Sequence, residues 1–327
     1  MSLKVSVIVT TFNQAPYIGD ALSSVLAQTH KPFEVIVVDD GSTDETPNRI
    51  APYHDRVRYI HQANQGVAAS RNTGIRAATG DLFAFLDGDD LWDPEKLEIQ
   101  VRVQKENSAS GIIVTDGVSF DEAGVRAQSL FRHVHAAFEG SWPSITTQCY
   151  WNMIRRNLIS TCTQIMIPAA VLRDVGLSDT RFKIGSDYDL YLRIAARYPI
   201  TFVAKPLMRW RFLSSSASGP AQLRYLNWSV DIIRALKKQL GERPARDHRE
   251  IRKRISQTVF EVAEAAYYYG RAGNRSWAAR YLSRLLIDNP AHPSVAFFLA
   301  GLLLPQAFAR ILGRRAHRMV KARYDGS

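Results

Sequence analysis

The sequence predicts an α/β domain built on a mainly parallel sheet flanked by helices, followed by a C-terminal helical extension. Three observations carry this. Through the first 115 residues, apolar runs alternate with amphipathic stretches, as strand–helix–strand crossovers require. Polar and acidic clusters follow those runs directly, at what would be the carboxyl ends of strands. Beyond Pro220 the strand signal stops, and the pattern reads helical throughout.

The strands are read at Val5 to Val9, Phe33 to Val38, Val57 to Ile60, Leu82 to Leu86 and Ile112 to Val114. Near-continuous apolar runs of this kind suit strands buried on both faces. Ile18, Leu22, Val25 and Leu26 recur at helical spacing, so residues about 16 to 29 form an amphipathic helix. A second helix starts near Ser42-Thr43-Asp44-Glu45, where small polar and acidic side chains satisfy free amides. A third covers Gly66 to Ala77, and a fourth runs from Pro94 to Gln104 with Pro in its first turn. From about 115 to 160 the pattern loosens, which fits a mixed sheet with long loops. Regularity returns at Thr163 to Ile167, in a helix from Asp187 to Arg197, and in a strand at Thr201 to Ala204. A polar loop, Leu213 to Gly219, closes the first domain, giving boundaries of 1–219 and 220–327.

Charge separates the same two parts. The net charge is +11, yet residues 220–327 hold 20 Lys+Arg against 8 Asp+Glu, and residues 1–219 hold 22 against 23. A basic C-terminal third implies an anionic partner, a membrane surface or nucleic acid. Its aromatics follow a helical core pattern and no recognition motif occurs, which disfavours nucleic acid. Val262 to Pro290 reads as one helical hairpin with a turn at Gly273-Asn274, too few copies for a solenoid. Asn289 to Ala309 carries no Lys, Arg, Asp or Glu, and Arg310, Arg314, Arg315, Arg318, Lys321 and Arg323 follow. An apolar stretch followed by basic residues suits a helix lying in the interface of an anionic membrane. A helix packed on its own domain is the alternative. A true span is weakened by Pro305 and Gln306, since roughly 20 apolar residues are needed. Cys149 and Cys162 form no metal spacing and no disulfide framework, in keeping with a reducing compartment. No charged n-region with an apolar h-region precedes the first strand, so no secretory signal is read. These features point to a cytoplasmic protein, peripheral on the inner face of the plasma membrane.

The chemistry gathers at the strand ends. Asp87-Gly88-Asp89-Asp90 places three mutually repelling carboxylates after Leu82 to Leu86. Such a cluster suits a hard divalent cation shared with phosphate oxygens, or an acidic turn capping the next helix. The first strand ends in Thr10-Thr11-Phe12-Asn13 and the second in Asp39-Asp40-Gly41-Ser42. A carboxylate there can accept from an imide N–H, and Phe12 can stack on a flat ring. Arg71, in Gly66-Val67-Ala68-Ala69-Ser70-Arg71-Asn72, can serve a pyrophosphate as a bidentate donor. Singly, each of these could be a turn or a cap.

Taken in order, Thr-Thr-Phe-Asn, Val-Val-Asp-Asp-Gly-Ser-Thr-Asp, Gly-Val-Ala-Ala-Ser-Arg-Asn-Thr-Gly, Phe-Leu-Asp-Gly-Asp-Asp and Gly-Ser-Asp-Tyr-Asp resemble the family 2 glycosyltransferases of GT-A fold, over roughly residues 3 to 212. The resemblance implies a Rossmann-like sheet, a nucleotide-diphospho-sugar donor (UDP favoured), inversion at the anomeric carbon, and Mn²⁺ or Mg²⁺ on the diphosphate. It implies a nucleotide-sugar-binding half, 1–115, and an acceptor and catalytic-base half, 116–219. Thr10, Phe12, Asn13, Asp39 and Asp40 would cradle the base and Arg71 the nucleotide. Asp87 and Asp89 would make the metal motif, with Asp89 the direct ligand, and Asp187 would be the catalytic base. The acceptor would be a glycan or glycolipid of envelope or extracellular polysaccharide synthesis.

Two departures from the family pattern matter. Ser186 stands where Glu is common, and Leu213 roughly where many relatives carry a His that contacts metal or diphosphate. Arg209 or Arg211 can substitute for that His electrostatically. Two other readings remain: a non-catalytic sugar-nucleotide sensor or scaffold, and a processive synthase. Against the latter, Pro206 stands three residues before Arg209-Trp210, where Gln is usual.

Overall fold

The computed structural model describes residues 3–138, 144–182, 184–213, 221–290 and 292–303. The stretch 214–219 of the polar loop and the basic residues 310–323 lie outside them. The chain divides into two compact units, Met1–Ala217 and Ser218–Ser327.

In the first unit the elements run β1 (Val5–Thr11), α1 (Ile18–Leu26), β2 (Glu34–Asp39), α2 (Thr46–Ile50), β3 (Arg58–His61), α3 (Val67–Ala77) and β4 (Leu82–Asp87). There follow β5 (Leu91–Trp92), α4 (Lys96–Glu106), β6 (Ile112–Asp121), β7 (Gly124–Ala127), α5 (Arg132–Ala137), β8 (Ser144–Thr147) and α6 (Tyr150–Arg155). Last come β9 (Ile165–Pro168), α7 (Ala169–Val175), α8 (Ser186–Ala195) and β10 (Ile200–Arg211). One sheet joins them in the order β3-β2-β1-β4-β9-β6-β10-β5, with β7 on β6 and β8 on β10.

β1, β2, β3 and β4 pair in parallel, and β10 is parallel to β6. Because β9 is antiparallel to both β4 and β6, the two parallel groups point the same way. The carboxyl ends of β1, β2, β4, β6 and β10 therefore share one edge of the sheet. Every residue of β1 is buried, the apolar Val5, Val7, Ile8 and Val9 together with Ser6, Thr10 and Thr11. α1 covers this sheet with Ile18, Ala21, Leu22 and Val25, all 0% exposed.

The loose region after residue 115 holds the rest of β6, the β6–β7 hairpin, α5, β8 and α6. β10 is longer than the sequence suggested, and the reason is local. Its pairing with β6 shifts register on either side of Pro206, which has no N–H to give the ladder. A bulge carries the strand past the proline to Arg211, where the sequence alone reads a stop.

The second unit comprises α9 (Ala221–Glu242), α10 (His248–Tyr269), a π turn at Gly270–Asn274, α11 (Arg275–Asp288) and α12 (Pro293–Leu303). Val262, Ala263, Ala266 and Tyr267 of α10 meet Ala278, Leu282 and Leu285 of α11. Val295, Phe298 and Leu302 of α12 complete that core. The described part of the charge-free stretch is thus packed on one face against its own helices. Among the described residues no helix is long and apolar enough to cross a membrane.

Candidate active site

The site grows from the end of β4. Asp87 is its last residue and lies opposite Thr10 of β1 in register. The Thr10 hydroxyl donates to Asp87 Oδ1 at 3.3 Å, and the Thr161 hydroxyl to Oδ2 at 3.4 Å. Arg71 arrives from α3, whose buried face includes Ala68, Arg71, Asn72 and Ile75 at helical spacing. Its Nη2 donates to Asp87 Oδ1 at 2.8 Å, while its buried Nε has no partner among the described residues.

The turn after β4 packs tightly on β1. A Cβ on Gly88 would stand 2.6 Å from Gln14 Oε1 and 3.0 Å from the Thr11 side chain, so a larger residue would push both side chains aside. The turn is also tied to distant elements. The Asp87 N–H donates to Thr163 Oγ1 at 3.2 Å, and that hydroxyl donates to Asp90 Oδ2 at 2.6 Å. Asp90 Oδ1 accepts the Arg211 N–H at 2.8 Å. Asp90 is 1% exposed, and burial with Asp89 and Asp87 beside it holds its carboxyl well above the usual range. It anchors the turn. Asp89 is half-buried, and burial together with the Asp87 charge raises its carboxyl to about 6, with Arg211 and Gln14 opposing. Arg211 donates Nε–H to the Asp89 carbonyl at 2.9 Å and lies over the rings of Tyr17 and Phe120.

Asp187 is in the first turn of α8, with Oδ1 accepting the Tyr188 N–H at 2.7 Å. Burial raises its carboxyl, the Arg71 charge opposes that, and the Asp87 charge adds to it. Asp187, Asp87 and Arg71 thus share one electrostatic cluster. Cys162 and Tyr191 belong to it as neutral groups, with Sγ and OH 3.1 Å apart and the thiol pushed up to about 12 by burial. Asp189 is held to Arg193 at 3.0 Å, and Arg193 also donates to the carbonyls of Val175, Gly176 and Leu177. That set docks α8 onto the end of α7.

Thr10, Arg71, Asp87, Asp89, Asp187 and Arg211 are therefore brought together. Asn13, Asp39 and Asp40 have other partners. Asp39 accepts the Ser42 N–H and the Tyr59 hydroxyl, each at 2.8 Å. Asp40 accepts from Gln62 Nε2 at 2.7 Å and from the N–H groups of Gln65 and Gly66 at 3.0 and 2.7 Å. Asn13, in the left-handed region at φ 51°, donates its N–H to Ser42 Oγ and accepts the Thr43 N–H on Oδ1. These three residues brace the loops after β1 and β2. Phe12 between them is 42% exposed, its ring open to a stacking partner.

Thr161, Thr163, Gln14 and Tyr17 were missed from the sequence. Nothing near Thr161-Cys162-Thr163 marks it as a partner of residues more than 70 positions earlier. Only the antiparallel insertion of β9 between β4 and β6 puts it there.

Residues 6–163 match the family model described as Glycosyl transferase family 2. An uncharacterized glycosyltransferase of Rickettsia felis is 33% identical over 217 residues, covering 65% of this chain and 35% of the relative. TuaG of Bacillus subtilis, a putative teichuronic acid biosynthesis glycosyltransferase, is 37% identical over 128 residues, 36% of this chain and 51% of the relative. The chain spans from 35% to 66% of the length of the first curated relatives it matches. In structure, S. aureus TarS 1-349 in complex with UDP-GlcNAc superposes with a TM-score of 0.59 at 21% identity, over 99% of this chain and 92% of that one. That likeness establishes the GT-A fold. The family likeness, to glycosyl transferase family 2, holds over residues 6–163, a little under half of the chain.

Proposed function

We propose that the protein is an inverting glycosyltransferase that moves a sugar from a nucleoside-diphosphate donor, UDP favoured, to a hydroxyl of a glycan or glycolipid in cell-envelope polysaccharide synthesis. The observation that carries this is the convergence of Asp187, Asp87 and Arg71 at the carboxyl edge of the sheet. The UDP-GlcNAc bound by TarS supports a donor of this class.

In this reading Phe12 stacks on the base, while Asn13, Asp39 and Asp40 shape the wall around it. Thr10 and Arg71 orient Asp87 toward the ribose and diphosphate, and Arg211 stands at the diphosphate end. Asp187 accepts the proton of the acceptor hydroxyl as its oxygen bonds to the anomeric carbon, and the nucleoside diphosphate leaves with the electron pair of the broken bond. An aspartate with a raised pKa serves that role near neutral pH.

Among the described residues no group of three or more His, Cys, Asp or Glu side chains is arranged to hold a metal ion. The residues fit a divalent cation on narrower terms. Asp89, repelled by Asp87 and only part-compensated, would hold Mn²⁺ or Mg²⁺ together with ligand oxygens. Bound there, the cation would offset charge growing on the leaving diphosphate.

A panel of nucleotide sugars, each with Mn²⁺, tests the donor class by thermal stabilisation. One donor should raise the melting temperature, and Asp89→Ala should abolish the shift. If Asp187→Asn turned over that donor as fast as wild type, the reading of Asp187 as base would be wrong. The membrane part is separable: the protein would sit on the inner face of the plasma membrane through its basic C-terminal helices. Removing residues after 303 keeps α12 and its buried Phe298 and Leu302, and should abolish binding to anionic liposomes.

A further inference from the structure

Helix α8 carries Asp187 in its first turn and Tyr191 one turn later, so the two side chains share a face. Tyr191 is fully buried, and its hydroxyl lies 3.1 Å from Cys162 Sγ. Burial, together with the neighbouring thiol and the Asp187 charge, keeps that hydroxyl protonated. The contact is therefore a hydrogen bond between two uncharged groups. Other bonds fasten α8 elsewhere. Arg193 ties it to the end of α7, and the Tyr188 hydroxyl donates to the Met153 carbonyl of α6 at 2.8 Å. Tyr191 fastens the helix to a third place.

That place is the short turn before β9, and it is internally braced. The Thr161 hydroxyl accepts the Thr163 N–H at 3.2 Å, and Gln164 Oε1 accepts the N–H groups of Ser160 and Thr161 at 2.8 and 3.2 Å. Gln164 Nε2 donates in turn to the Thr115 carbonyl of β6 at 2.9 Å. From both sides of Cys162 the same turn grips the acids after β4. Thr161 donates to Asp87, while Thr163 accepts the Asp87 N–H and donates to Asp90. Cys162 thus stands between the two hydroxyls that fix the acidic turn, and its own side chain meets the helix that bears Asp187.

We propose that the Tyr191 hydroxyl and the Cys162 thiol form a strut that sets the separation between Asp187 and Asp87, making Tyr191 a positioning residue for the transfer step. The turn around Cys162 fixes Asp87, and Asp187 is carried by α8, so the strut spaces one from the other. A base must lie within hydrogen-bond reach of the acceptor hydroxyl while that oxygen stands about 3–3.5 Å from the carbon it attacks. A shift of roughly 1 Å in such a spacing lowers the rate about 10²-fold. Phenylalanine at position 191 would strand the buried thiol without its partner and let α8 settle against the turn. The contact itself is independent of function; its catalytic meaning rests on the reading of Asp187 as the base.

Steady-state release of nucleoside diphosphate by the full chain tests this, with UDP-, dTDP- and GDP-sugars as donors, Mn²⁺ present and water as the acceptor. Tyr191→Phe and Cys162→Ala should each lower kcat about 10–100-fold, with donor KM within about twofold of wild type. Cys162→Ser, whose hydroxyl still pairs with Tyr191, should recover most of that loss. The two substitutions combined, Tyr191→Phe with Cys162→Ala, should be no slower than either alone, because both remove one contact. Thermal stabilisation by the same donor, retained in each variant, marks the donor half as folded. The strut is overturned if both single variants keep wild-type kcat, if donor KM rises as much as kcat falls, or if the two losses add. Turnover lost in Asp187→Asn but kept in Tyr191→Phe would sink the strut alone. Wild-type turnover in Asp187→Asn, or no release from any donor by wild type, would take down the function reading and the strut together.

Discussion

The loop after β2 and the turn after β4 both end a buried parallel strand in consecutive acids, and the fold treats them in opposite ways. Asp39 and Asp40 spend their oxygens on N–H and O–H groups of their own neighbourhood, from Ser42, Tyr59, Gln62, Gln65 and Gly66. Asp87 takes its bonds from distant elements, Arg71, Thr10 and Thr161, and Asp89 is driven up to about 6 by burial and the Asp87 charge. The difference is the supply of backbone donors. Gly41 at φ +82° and Gly66 at φ +88° let the first loop fold back on its carboxylates. Past β4 the chain turns straight into β5 and offers its acids few amides. The first region is thereby a fixed shape, whereas in the second Asp87 is paired with Arg71 and Asp89 keeps a raised carboxyl that a ligand can complete.

The largest way to break this contrast is at Asp187, which shares the field of Asp87 and Arg71. Asp187→Asn should lower turnover by about 10²–10⁴-fold with donor affinity nearly unchanged, measured as kcat against KM. The pH profile sharpens the same point. Asp187 acts only as the carboxylate, and its pKa is raised, chiefly by burial. The rate should therefore fall with decreasing pH through a midpoint above the ordinary aspartate value of 3.8, and Asp187→Asn should lack that limb. An acid limb at or below the ordinary value would refute it.

Asp89→Ala comes next, with Mn²⁺-dependent UDP affinity expected to fall about 10–100-fold and the melting temperature of the ligand-free protein steady or raised. Asp40→Ala should behave in reverse. It strips acceptors from three donors and should cost about 1–3 kcal/mol in chemical denaturation, with nucleotide binding reduced only through the loop. Smallest is Asn13→Ala, about 1 kcal/mol, from one lost acceptor and a left-handed backbone that alanine adopts poorly. If Asp40→Ala were neutral in stability and Asp89→Ala destabilising, the two regions would have been assigned the wrong way round.

Legibility in the sequence followed contact range. β1, β2 and β4 were readable because a strand buried on both faces is apolar through most of its length, as at Val35 to Val38 and Leu82 to Leu86. Arg71 and Asp87 stood out because charges gathered at strand and helix ends are costly without a purpose, whereas Asp187 stood out only through the family resemblance. Thr163 was not readable. A hydroxyl at the start of an ordinary strand carries no sign that it will join Asp87 and Asp90. The local bonds of Asp39 and Asp40 were not readable either, since free and saturated carboxylates look alike until the donors around them are placed.

By itself, then, the sequence determined the alternation of strands and helices, the edge of the sheet where chemistry collects, and the split between a near-neutral domain and a basic helical one. Those follow from periodicity and composition, which are local. Tertiary structure alone decided which acids remain open to a ligand, that Thr163 ties the acidic turn, and that Tyr191 meets the Cys162 thiol. Each depends on β9, β6 and β10 coming together beside β4, and the cost of burying a charge is set by whatever partners that assembly supplies.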